Sequence, residues 1–253
     1  MKYKNYIFDL YGTLVDIRTD EDRPEVWDKL TLFYGYYRAI YAPEELRRSF
    51  YELVESGEAA MRQETGAGKL RSDAHEVFPE LEIEQVFLEL FRRRGVEADA
   101  ALAVHAGQFF RILSTEYLRL YDGVKELLAA LRERGGNIYL LSNAQRIFTE
   151  YEMNILGIAE YFDDILISSS CGVRKPDSRF FELLQKRHGF LPNESIMIGN
   201  DLQNDIEGAK QVGLHTFYIH SNISPELTKK PEADYVQMGM DMEAVRRSLL
   251  GKD

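Results

Sequence analysis

Tyr6-Ile7-Phe8-Asp9-Leu10-Tyr11-Gly12-Thr13-Leu14-Val15-Asp16 is the stretch on which the reading of this chain turns. A short apolar run delivers one carboxylate, Asp9, to its end, and a turn containing Gly12 follows at once. Ligands of open α/β sheets bind outside the carboxyl ends of the strands, so this pattern puts Asp9 where chemistry is done. Short apolar, β-branched or aromatic runs cover residues 4–10, 137–142, 164–169, 195–198 and 215–219. Segments with helical spacing separate the later runs, which predicts βαβ units and a Rossmann-like parallel sheet of the α/β class. The clearest helix runs from Gly123 to Arg134, with Val124, Leu127, Leu128 and Leu131 as its apolar stripe and Gly135-Gly136 as its stop. Further helices are expected near 144–156, 178–188, 203–212 and 241–250, and Asp234-Tyr235-Val236 as an edge strand.

Residues 17–118 have another texture, with no convincing strand alternation. Val26, Leu30, Phe33, Tyr34 and Tyr37 stand at helical spacing, and Pro43-Glu44-Glu45 has the form of a helix start. Phe87, Leu88 and Phe91 form a third stripe, and Leu102, Phe109 and Leu113 a fourth. The expectation is a mostly helical domain at 17–118, inserted after the first strand of an α/β core made of residues 1–16 and 119–253.

The chain has 253 residues, enough to bury a sizeable core, and 45% of them are hydrophobic. A net charge of −11 disfavours nucleic acid and anionic membrane surfaces as partners. Cys171 is the one cysteine, which rules out an internal disulfide and argues against a structural zinc site. No signal pattern opens the chain, and no apolar run approaches the ~20 residues that span a bilayer. A cytoplasmic protein acting on a small molecule is expected, as a monomer or homodimer.

Four fragments, each at the end of an expected strand, carry the candidate chemistry: Asp9 to Thr13; Leu140-Leu141-Ser142-Asn143; Val173-Arg174-Lys175-Pro176; and Ile198-Gly199-Asn200-Asp201-Leu202-Gln203-Asn204-Asp205. Taken singly, each has a plainer reading. Asp-Gly and Ser-Asn pairs end strands as turns, a lone Lys is usually solvated, and Asp201 with Asp205 can cap a helix. Taken together and in order, they resemble the four motifs of the haloacid dehalogenase-like (HAD) hydrolases. The resemblance covers the chain except for the insert. It implies the HAD fold, with the insert as a cap that closes over the site and selects substrate. It further implies Asp9 as covalent nucleophile, Lys175 as its electrostatic partner, and Thr13, Ser142 and Asn143 as substrate contacts.

Two positions depart from the phosphatase pattern, Asp-x-Asp-Gly-Thr with a later Gly-Asp. Tyr11 stands where the second Asp protonates the leaving group, and Asn200 where an Asp helps to ligate magnesium. The resemblance therefore implies a weakened Mg²⁺ site from Asp9, the main-chain carbonyl of Tyr11, and Asn200 or Asp201, with Asp205 behind them. Positioned acid–base catalysis is worth roughly 10²–10⁴-fold, and a tyrosine with a pKa of about 10 is a poor substitute base. Members of the resembled family without this Asp expel good leaving groups: P-type ATPases carry Thr, phosphonatases Ala and haloacid dehalogenases Tyr. The first motif therefore points to metal-free dehalogenation through an aspartyl ester, with no cofactor. The remaining motifs do not follow, since Asp28 follows Trp27, Phe181 replaces a dehalogenase Tyr, and Gly199 to Asp205 is nearer the phosphatase form. The favoured reading is a phosphohydrolase of a small phosphorylated metabolite, acting through an aspartyl-phosphate on Asp9, with Tyr11 orienting the leaving group. The alternatives are the 2-haloacid dehalogenase and a catalytically degenerate member that binds a phosphorylated ligand or partner.

Gly66-Ala67-Gly68-Lys69 lacks the spacing and preceding strand of a nucleotide loop and reads as a cap loop, where Lys69 or Arg71 can touch substrate. The five histidines have no metal spacing. Tyr34, Tyr36, Tyr37 and Tyr41 read as cap core or, less simply, as an aromatic pocket.

Overall fold

The computed structural model describes residues 2–65, 78 and 80–251. Strand β1 (Asn5–Phe8) lies in the middle of a six-stranded parallel sheet. The others are β4 (Asn137–Ser142), β5 (Asp164–Ile167), β6 (Ser195–Gly199), β7 (His215–His220) and β8 (Tyr235–Met238). Their order is β5-β4-β1-β6-β7-β8. From β1 the chain later builds outward in both directions, which makes the end of β1 the point where strand order reverses and a crevice opens. Asp9 is the first residue beyond it.

Both faces of the sheet are buried, as an all-parallel sheet requires. Tyr6 and Phe8 turn to one face, where Leu127, Leu128 and Leu131 of helix α5 (Val124–Glu133) and Val245 and Leu249 of α10 (Met242–Leu250) cover them. Ile7 turns to the other, where it joins Leu141, Met197 and Phe180, Phe181 and Leu184 of α8 (Ser178–His188). The strand expected through residue 169 stops at Ile167 and becomes a short helix, α7 (Ser168–Cys171). The helix expected at 203–212 is instead a wide π-turn, Leu202–Glu207, followed by α9 (Gly208–Gln211).

The inserted segment holds helices α1 (Pro24–Tyr36), α2 (Pro43–Thr65), α3 (Ile83–Arg92) and α4 (Ala100–Ser114), with their own apolar cluster. Trp27, Phe50 and Phe110 pack with ring centroids 5.2 to 5.5 Å apart at its centre. Tyr34 and Tyr41 belong to this cluster, donating their hydroxyls to the carbonyls of Phe87 and Leu90, whereas Tyr36 is exposed. Ile147 and Phe148 of α6 (Arg146–Leu156), a helix of the α/β layer, join the same cluster. Lys69 and Arg71 lie outside the described residues.

The absence of strands expected for 17–118 is corrected by an antiparallel ribbon, β2 (Val15–Thr19) with β3 (Thr115–Leu120), through which the chain enters and leaves the insert. The expected junctions at 16/17 and 118/119 fall inside these strands. The alternation Val15, Ile17 against Asp16, Arg18 is real but short. Its stability comes from a long-range seam in which buried Asp16 accepts from Arg119 at 2.7 and 2.9 Å and from Asn222 at 2.9 Å. Among the described residues no helix is long and apolar enough to cross a membrane.

Candidate active site

Asp9 is held at the strand end by its own amide, which donates to the Ile198 carbonyl of β6 at 2.9 Å. The chain then turns tightly. The amides of Leu14 and Val15 both donate to the Leu10 carbonyl, at 2.8 and 2.9 Å, and the Gly12 amide to the Val15 carbonyl at 2.8 Å. Gly12 meets this turn at φ +83°, and a Cβ there would sit 2.2 Å from Asn200 Nδ2. Only glycine gives both the left-handed conformation and the approach of Asn200 to the loop. Gly199 leaves room for a close approach too, since a Cβ there would lie 2.3 Å from Asp205 Oδ2.

Lys175 is the electrostatic centre. Its ammonium is fully buried and donates to Asp9 Oδ1 at 2.8 Å, Asp205 Oδ1 at 2.7 Å and the Leu141 carbonyl at 2.7 Å. Those three acceptors saturate its three donors. Burial alone would lower its pKa, but Asp205 and Asp9 outweigh that and hold it raised, so the cation persists. Burial pushes the Asp205 carboxyl up from the usual carboxylate range, with Lys175 pulling against it and the Asp9 charge adding to the rise. Asn143 clamps the lysine loop from both sides: its Nδ2 donates to the Lys175 carbonyl at 3.0 Å, and its Oδ1 accepts from the Lys175 amide at 2.8 Å.

The structure brings Asp9, Tyr11, Asn143, Lys175, Asn200, Asp201 and Asp205 around one cavity of about 220 Å³. Asn204, Ile223 and Pro225 complete the wall; the last two belong to a loop after β7 that no sequence motif marks. Thr13 and Ser142, expected as substrate contacts, are fully buried and do not line this cavity. The Thr13 hydroxyl lies 3.3 Å from both Asp9 Oδ2 and Asn200 Oδ1 and so holds those two oxygens near each other. The Ser142 hydroxyl has no hydrogen-bond partner, an open valence at the end of β4. Asp201 is largely engaged as the N-cap of the turn that follows, accepting from the amides of Gln203 and Asn204, each at 2.9 Å, and from the Asn204 side chain at 2.7 Å. Asp205 accepts the Asp201 amide at 2.9 Å.

Tyr11, expected to orient the leaving group, borders the cavity, and its hydroxyl donates to Glu152 Oε2 on α6 and lies 3.1 Å from Thr149 Oγ1. Burial, and then the neighbouring Glu152 charge, raise its pKa well above that of an ordinary tyrosine. Glu152 sits on an ordinary amphipathic helix, so no sequence signal marked it. Among the described residues no group of three or more His, Cys, Asp or Glu is gathered as a metal cage.

A family model described as haloacid dehalogenase-like hydrolase matches residues 3–213. Over 150 residues the chain is 31% identical to a phosphoserine phosphatase of Thermus thermophilus, a match covering 59% of this chain and 58% of that protein. The chain thus spans little more than half the length of that relative. It is 25% identical over 208 residues to a glyceraldehyde 3-phosphate phosphatase of Methanopyrus kandleri, covering 81% and 88% of the two chains. Among solved structures it is similar to a 2-haloacid dehalogenase from Pseudomonas syringae, with a TM-score of 0.63 at 17% identity over 98% of each chain, a likeness of fold. The motif fragments on one sheet edge, the cavity that gathers them and the match of the family model over most of the chain lead to one conclusion: this protein belongs to the haloacid dehalogenase-like hydrolases.

Proposed function

We propose that the chain is a phosphohydrolase of a small phosphorylated metabolite, with Asp9 as the nucleophile that becomes an aspartyl-phosphate. The observation that carries this reading is the buried Lys175 ammonium fixed between Asp9 and Asp205 at a polar cavity. A preorganised cation of this kind stabilises negative charge as it builds on a transferring phosphoryl group. Asn143 keeps the lysine loop in register beside the cavity. The names of the relatives, a phosphoserine and a glyceraldehyde 3-phosphate phosphatase, point the same way.

The donor set fits Mg²⁺. Asp9 Oδ2 and Asn200 Oδ1 share the Thr13 hydroxyl, both residues line the cavity, and oxygen donors suit a hard cation that keeps much of its water. Bound there beside the Tyr11 carbonyl, Mg²⁺ would neutralise phosphoryl charge. Asp205 belongs to Lys175, and Asp201 is left a lesser share because its carboxylate caps a helix. The insert at 17–118 would act as the cap over this cavity. A cytosolic site of action and a small-molecule partner complete the reading.

With its proton committed to Glu152, Tyr11 leaves the departing group unaided, so substrates with good leaving groups are favoured. The test is phosphate release from acetyl phosphate and p-nitrophenyl phosphate with Mg²⁺ or EDTA, beside Asp9→Asn. Mg²⁺-dependent release that the variant loses is expected, with acetyl phosphate the better substrate. Tyr11 in the first motif supports a second reading, dehalogenation. Halide release from a 2-haloacid in EDTA, without phosphate release, would replace the first reading, and saturable ligand binding with neither product would mean a silent binder.

A further inference from the structure

Tyr11 lies on the boundary between two regions. It borders the cavity beside Asp9, and its hydroxyl reaches Glu152 of α6. Glu152 is fixed in turn by Arg111, in the last turn of the insert helix α4: Nε lies 2.6 Å from Oε1 and Nη2 3.4 Å from Oε2. The Glu152 side chain is 4% exposed and that of Arg111 16%, so the pair is largely desolvated and its hydrogen bonds are charge-assisted. The guanidinium also stands 5.8 Å from the Tyr11 ring centre and 5.2 Å from that of Phe148. An insert helix, a helix of the α/β layer and the loop that carries Asp9 therefore meet in one polar chain.

Helices α4 and α6 touch closely at Gly107, where a Cβ would lie 2.4 Å from Ile147 Cδ1. One turn on, around Arg111, a cavity of about 310 Å³ opens between α4, β3 and α6, walled by Ile112, Leu118, Phe148, Tyr151 and Ile155. Arg111 also precedes the ribbon directly: its carbonyl accepts from the hydroxyls of Ser114 and Thr115, the latter beginning β3. Beside this gap the polar chain adds a directional link between the insert and the α/β layer to the apolar contacts that Ile147 and Phe148 make.

We propose that Glu152, held by Arg111, is a positioning residue that fixes Tyr11 and makes the placement of the Asp9 loop depend on how the insert is seated. Tyr11 then serves as a tether from the nucleophile loop through Glu152 to the insert helix α4, not as an acid for the leaving group. The effect on turnover rests on the phosphohydrolase reading; the effect on seating does not.

The two roles differ in their dependence on the leaving group. Acetyl phosphate and a simple alkyl phosphate would be compared for wild type, Tyr11→Phe, Glu152→Gln, the double variant, Arg111→Ala and Arg111→Lys. Tyr11→Phe keeps the ring and Glu152→Gln the shape. A displaced nucleophile loop predicts that each lowers kcat roughly ten- to a hundredfold by the same factor on both substrates. The double variant should be no worse than the poorer single one, and Arg111→Lys should recover part of what Arg111→Ala loses. A loss much larger on the alkyl phosphate would make Tyr11 an acid and overturn the proposal, as would multiplicative losses or unchanged kinetics. Small-angle scattering supplies a readout without substrate: Glu152→Gln and Arg111→Ala should enlarge the radius of gyration. Should wild type hydrolyse neither phosphate, the phosphohydrolase reading fails and scattering decides, unchanged radii in both variants overturning the positioning role.

Discussion

Lys175→Met tests the electrostatic core of the site. The methionine keeps most of the stem volume but removes a cation whose three hydrogen bonds end on Asp9, Asp205 and the Leu141 carbonyl. Asp205 is 1% exposed and would face no compensating charge. Breaking a buried pair by removing one partner costs about 3–5 kcal/mol. For a chain of this size, each kcal/mol shifts the unfolding midpoint by roughly 2–4 °C, so a fall of about 10 °C at pH 8 is expected. The pH dependence gives the mechanism. Burial already raises the Asp205 pKa in the folded protein, and loss of Lys175 raises it further. A carboxyl whose folded pKa lies above its unfolded value binds protons more tightly when folded, so stability falls as pH rises through that window. The deficit of Lys175→Met should therefore shrink between pH 8 and pH 5, as protonation removes the unpaired charge. The assay is thermal unfolding of wild type and variant at both pH values. Equal midpoints at pH 8, or a deficit that does not shrink at pH 5, would refute the reasoning.

Other consequences follow from single contacts. Gly12→Ala forces a side chain into a left-handed conformation, at about 1–2 kcal/mol, and against Asn200, so it should abolish turnover with a modest loss of stability; a variant of full activity would contradict that account. Gly107→Ala places a methyl against Ile147 and Phe87 and should cost about 1–3 kcal/mol by overpacking, read in urea unfolding, while Gly95→Ala, at an open turn, should cost less from backbone strain alone. Asp16→Asn should lower stability by about 1 kcal/mol near neutral pH. Burial raises the Asp16 pKa, but Asn222, Arg119 and Tyr117 outweigh it and hold the pKa low. A depressed carboxylate stabilises above its unfolded pKa of about 3.9 and loses that contribution as pH falls through the folded value, so wild type and variant should converge in acid.

The sheet was legible in the sequence because each strand of a doubly covered parallel sheet is a short continuous apolar run, and because the helices between the later strands carry clean stripes such as Val124, Leu127, Leu128 and Leu131. Three of the four candidate fragments were legible for a related reason: they sit directly beyond such a run, whereas Lys175 follows β5 only after α7. The ribbon was not. Its strands stand about a hundred residues apart, and Asp16 finds Arg119 and Asn222 only once the chain has folded. Glu152 and Arg111 look like solvated faces of amphipathic helices until Tyr11 is seen between them. For Asp201 the sequence offered two roles, metal ligand and helix cap, and the structure shows its carboxylate capping the turn after β6 at the wall of the cavity.

The central claim is that Asp9 is phosphorylated during turnover. Acid-quenching the enzyme during reaction with acetyl phosphate and Mg²⁺, followed by peptide mass mapping, tests it directly. The account predicts one added phosphoryl group on the peptide containing Asp9, absent from Asp9→Asn and lost when the denatured protein is treated with hydroxylamine. Turnover with no phosphoryl group on that peptide, or with the group on another residue, would contradict it.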